Sequence, residues 1–65
     1  MFTKHARNRM AQRGVLEEEV LEVIRSPLQT RIVGNKRFFR GWAARGLLEV
    51  CCDGNDLKVI TVYWV

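Results

Sequence analysis

His5 is the only side chain in this 65-residue sequence whose ordinary pKa lets it exchange protons near neutral pH, and it lies in a run of cations. Lys4, Arg7, Arg9 and Arg13 accompany it between Met1 and Val15, where there is no acid. Helical spacing places His5, Arg9 and Arg13 on one stripe, so an imidazole would stand beside two guanidiniums. The chemistry open to such a set is proton transfer next to a bound anion. A second cationic group, Arg31, Lys36, Arg37, Arg40 and Arg45, follows an acidic block from Glu17 to Glu22 and contains no acid of its own. Two positive segments in one small basic chain of formal charge +4 point to a polyanionic partner.

These residues need elements to hold them. Thr3 can cap a helix over Lys4–Arg13, which Gly14 ends. Phe2, Ala6 and Met10 form its apolar stripe, next to the stripe of His5. Three glutamates, Glu17 to Glu19, suit the positive end of a second helix from Glu17 to Arg25, and Pro27 stops it. Its apolar face is Val20, Leu21, Val23 and Ile24.

From Leu28 the apolar period changes from helical to alternating. Strands are expected over Leu28–Val33, Lys36–Ala43, Leu47–Asp53 and Leu57–Trp64. Turns fall at Gly34-Asn35, at Ala44-Arg45-Gly46 and over Asp53 to Asp56. Links this short make an antiparallel meander in chain order. The expected fold is α+β, with two N-terminal helices packed on one face of a four-stranded antiparallel sheet in a single domain, residues 1–65. Leu48, Val50, Cys52, Ile60, Val62 and Trp64 form the expected inner face. Leu47, Glu49, Cys51, Asp53, Leu57, Val59, Thr61 and Tyr63 would look away. The last strand, being the most apolar, should be central or well covered. In this layout the first helix and the first hairpin can border one concavity.

Several function classes are disfavoured. One histidine and two adjacent cysteines do not make a tetrahedral metal set, so no metal or other cofactor is expected. Cys51 and Cys52 point to opposite faces of a strand, which disfavours a disulfide between them and suits a reducing, cytoplasmic setting. No apolar run is long enough to span a membrane. No glycine-rich phosphate loop is present. A chain this short buries a small fraction of its surface, so a homodimer or a protein complex is expected to support it.

The pattern His5-Ala6-x-x-Arg9-Met10-x-x-Arg13-Gly14-Val15, the acidic helix ending at Ser26-Pro27, and the closing Thr61-Val62-Tyr63-Trp64 resemble the small prokaryotic domain-of-unknown-function family 4258. The resemblance covers nearly the whole chain. Leu16 departs from it, standing where such sequences often carry a capping Ser or Thr, while Glu19 keeps the other half of a capping box. The family's layout is similar to that of RelE, ParE and BrnT toxins, several of which cleave RNA without a metal. The resemblance implies RNA or another nucleic acid as ligand and an antitoxin-like protein as partner. It is a resemblance of fold, and function does not follow from fold alone.

Under that reading RNA cleavage needs a base for the 2′-hydroxyl proton, cations for the phosphorane charge and an acid for the leaving oxygen. His5 and Arg9, with Tyr63 as proton donor or stacking platform, are the catalytic candidates. Lys4, Arg13, Arg31, Lys36, Arg37 and Arg40 are the candidates for binding phosphate. Each has a plainer alternative. His5 can cap or pack locally, Arg9 and Arg13 can pair with Glu18, Glu19 or Glu22, the hairpin cations can protect an edge strand, and Phe38, Phe39, Trp42, Tyr63 and Trp64 can be packing residues. Two further functions therefore stay open: a nucleic-acid-binding module without catalysis, and an interaction domain using an exposed sheet edge.

Overall fold

The computed structural model describes residues 1–65. Helix α1 spans Lys4–Arg13, and its start is fixed by Thr3, whose hydroxyl accepts from the Ala6 N–H at 3.0 Å. Ala6 and Met10 are buried, and Gly14 closes the helix in the left-handed region at φ 66°. Helix α2, Glu17–Arg25, buries Val20 and Val23 and begins with the three glutamates. Its N-cap, Leu16, has no side-chain acceptor, so only half of the capping box forms. Glu19 reaches back to accept from the Leu16 N–H at 2.9 Å.

Strands β1 (Gln29–Val33), β2 (Lys36–Ala43), β3 (Gly46–Asp53) and β4 (Val59–Trp64) pair antiparallel in chain order, as the short turns require. At the first turn Gly34 takes φ 60°, and Val33 pairs with Lys36 across it, as in a hairpin with glycine at the first central position. Three strand starts differ from the sequence reading. Leu28 lies just outside β1, although its N–H donates to the Arg40 carbonyl at 2.8 Å. Leu57 belongs to the turn: its φ is 57°, and the Asp53 N–H bonds the Lys58 carbonyl at 2.8 Å across it. β3 starts one residue early, at Gly46, which pairs with Ala43.

Both helices lie on one face of the sheet, α1 on β4 and α2 on β2 and β3. Their buried residues join Val15, Phe39, Leu48, Val50, Cys52, Val59 and Val62 in one apolar cluster, against which Phe2, Ile24, Ala43 and Trp64 pack. One expected core residue is corrected. Cys51 pairs with Thr61 but Cys52 pairs with Val59, so Ile60 is an extra residue in β4 and the alternation reverses there. Val59 is therefore turned into the core, fully buried, in place of Ile60. β4 is an edge strand, covered by α1 rather than central.

The missing cap makes a stability prediction. Leu16 is exposed and its backbone is already extended, at φ −91° and ψ 152°. Leu16→Ser should supply the absent acceptor and raise unfolding free energy by about 1 kcal/mol. A urea midpoint that fails to rise would show that the start of α2 is already satisfied.

Candidate nucleic-acid interface

Alternation sends every second side chain of the sheet to the face that the helices leave open. Register places them in rows. Gln29, Arg40, Glu49 and Tyr63 form one; Arg31, Phe38, Cys51 and Thr61 form the next; Lys36 stands opposite Asp53, and Trp42 opposite Leu47. Trp42 is 64% exposed.

Glu49 is the centre of this face. It is 1% exposed, although no helix covers it. A buried carboxylate must be paired and hydrogen-bonded to be tolerated. Both oxygens are: Oε1 accepts from Arg40 Nε at 2.7 Å, and Oε2 from an Arg31 Nη2 at 3.0 Å. The Arg31 guanidinium also lies over the Phe38 ring, 4.6 Å from its centroid, a cation–π contact. Glu49 thus fixes two arginines while neutralising one of their two charges. Each guanidinium has further N–H groups beyond these bonds, and the side chains are 48% and 36% exposed for Arg31 and Arg40. Such an arrangement can accept a phosphate by charge-assisted bonds.

The sequence candidates separate into two groups. Arg31, Lys36, Arg40 and Tyr63 share the open face with Glu49, Phe38 and Trp42. His5, Arg9, Lys4 and Arg13 belong to α1, on the other side of the sheet and over the strand farthest from β1. Helix α1 and the first hairpin do not border one concavity, because α2 lies on β2 and β3 while α1 takes β4. His5 is exposed, and Arg9 donates to Gln12 Oε1 at 2.8 Å. Arg13 donates to the Val62 carbonyl at 3.2 Å, which ties α1 to β4. Arg37 is aligned with Cys52 and so stands on the helix side. The interhelical ion pair is Arg7–Glu17 at 2.7 Å, while Arg9 and Arg13 find partners other than the glutamates of α2. Sequence reasoning missed Glu49 and Trp42 as site residues. The available signal was a single acid inside the apolar run of β3, the first after Glu22.

A family model described as a domain of unknown function, DUF4258, matches residues 2–64. The chain belongs to the DUF4258 family. No curated protein and no solved structure matches this chain. The DUF4258 assignment thus confirms the family resemblance carried by the opening and closing motifs, and it carries no activity with it.

The two thiols of this DUF4258 chain are free and lie on opposite faces of β3. Burial raises the Cys52 thiol from 9.0 to about 11, with the neighbouring Cys51 adding to the rise and Arg37 opposing it. Burial also raises Cys51, which Lys36 and Arg31 draw down and Glu49 pushes up. The unfolded chain gives up these protons near its ordinary thiol pKa, before the folded chain does. The Cys52 contribution to stability is therefore complete below about pH 9 and is lost as pH rises towards about 11, and the raised Cys51 thiol acts in the same direction. Urea midpoints should fall across that window, and Cys52→Ala should remove part of the fall. An unchanged pH slope in the variant would refute the assignment.

Proposed function

We propose that this protein is a small, basic, toxin-related protein directed at RNA, and that a single strand lies across the open face of its sheet. The observation that carries the reading is the Arg31–Glu49–Arg40 cluster, bordered by Lys36, Phe38, Tyr63 and exposed Trp42. Phosphates would take the free guanidinium N–H groups and Lys36, and bases would stack on Trp42. A single strand suits this face because its bases are free to meet aromatic rings.

Metal-independent cleavage is the second reading, favoured by the pairing of Tyr63 directly opposite Glu49. In that step the 2′-oxygen would give its proton to solvent water and attack the adjacent phosphorus. The bond to the 5′-oxygen would break, and that oxygen would take the Tyr63 hydroxyl proton, which water then restores, leaving a 2′,3′-cyclic phosphate and a 5′-hydroxyl. The arginines would hold the charge that develops on the phosphoryl oxygens. Tyr63, rather than His5, stands on the face with them.

Binding of a labelled mixed-sequence RNA in EDTA, titrated with salt, tests both readings. Trp42→Ala should weaken binding about tenfold through lost stacking. Lys36→Ala should lower the salt exponent by about 0.7, the loss of one phosphate contact on a single strand. Tyr63→Phe should abolish any cleavage and leave affinity within a few fold. If His5→Ala and Arg9→Ala impair binding while the sheet variants do not, the interface lies on α1 and this reading fails.

A further inference from the structure

The two edges of the sheet are finished differently. The β4 edge is closed at its start by the first three residues. Phe2 bridges Val59 in parallel, the Val59 N–H donates to the Met1 carbonyl at 2.7 Å, and the Thr3 N–H donates to the Val59 carbonyl at 3.0 Å. The β1 edge carries no equivalent. Every residue of β1 is exposed, and Leu28, Ile32 and Val33 leave 63%, 71% and 54% of their surface to solvent.

Natural edge strands are usually blunted by lysine, proline, a bulge or a charge directed into the pairing surface. β1 contains no lysine or proline and keeps an unbroken register with β2 from Gln29 to Val33. Its one charge, Arg31, is drawn to the open face by Glu49 and Phe38 and does not guard the edge. The pairing of Val33 with Lys36 across a two-residue turn makes that pair the hydrogen-bonded one. By alternation the backbone groups of Thr30 and Ile32 then point away from β2. Two N–H and two C=O groups are thus aligned for another strand.

Charge decides the occupant. From Val23 to Leu48 the chain carries Arg25, Arg31, Lys36, Arg37, Arg40 and Arg45 and no acid. A second copy would bring the same cationic hairpin against the first, whereas an acidic strand complements it. We propose that the β1 edge accepts a fifth, antiparallel strand from an extended acidic segment of a partner protein. Apolar side chains at alternate positions of that segment would cover Ile32 and Leu28, and carboxylates on the other side would meet Arg31 and Lys36. Backbone bonds to Thr30 and Ile32 supply attachment, and the alternating side chains supply selectivity.

The probe is a fluorescein-labelled heptapeptide alternating glutamate with valine and isoleucine, titrated into the full chain by polarisation. Amide hydrogen exchange is followed in parallel. The acidic peptide should bind and slow exchange at Thr30 and Ile32, and the same peptide with lysine for glutamate should not. Ile32→Lys, at a site exposed enough to leave the fold intact, should weaken binding about tenfold. Trp42→Ala should leave peptide binding unchanged while weakening RNA binding, so failure of either reading is seen separately although both use Arg31 and Lys36. Absence of binding, or binding without slowed exchange at those two amides, overturns the proposal. A doubled mass of the free protein with those amides already protected overturns it in favour of a second copy.

Discussion

Two helices of ten and nine residues are all that this chain has to cover a four-stranded sheet, and they can cover only one face. Much else in the structure follows from that shortage. The covered face is continuously apolar, from Ala6 and Met10 on α1 through Val20 and Val23 on α2 to the valines and Leu48 of the central and last strands. The other face shields itself with its own long side chains. Glu49 and Cys51 are almost fully buried there without a helix above them. Arginine suits this task, because its stem packs against apolar surface while its head stays partly in water. Arg31 and Arg40 do so and neutralise the carboxylate between them. The open face is therefore ordered and cationic at once, a combination that a solvated patch of lysines would not have.

The join between α1 and β4 is the second consequence of having so little chain. The Arg13 carbonyl, at the end of α1, accepts from Trp64 Nε1 at 2.8 Å and also from the Arg45 guanidinium. Arg13 itself donates to the Val62 carbonyl. These bonds give partners to groups that a helix end would otherwise leave to water, and they lock the last strand to the first helix. The turn depends on glycine because Gly14 has φ 66°, and a Cβ there would also displace the Arg45 guanidinium, 2.9 Å away, from its place at the helix end. Arg13 is thus a structural tie between α1 and β4.

Most of the fold was legible because local signals agreed with the global layout. Thr3, Gly14, Pro27 and the Gly34 turn each act through backbone geometry that depends on near neighbours alone. The bulge in β4 was not legible. Nothing in Val59-Ile60-Thr61 distinguishes an inward valine from an inward isoleucine, and the reversal is imposed by how the Asp53–Lys58 turn and the Met1–Thr3 segment hold the start of the strand. The site was half legible for a related reason. Alternation shows which strand residues share a face, and so grouped Glu49 with Tyr63. It says nothing of which strand a helix lies on. The separation of His5 and Arg9 from the hairpin cations depends on that long-range choice.

Glu49 connects these separate features. Without it, Arg31 and Arg40 would be two like charges on neighbouring strands, repelling each other and free to turn towards the edge. With it, both guanidiniums are held over the sheet, the edge of β1 is left apolar and unguarded, and the open face gains fixed donors. One buried carboxylate thereby separates two surfaces of opposite character within a few residues of the same strand. A flat cationic face suits an extended polyanion, and a bare apolar edge suits a strand. The same two arginine bonds leave both surfaces exposed.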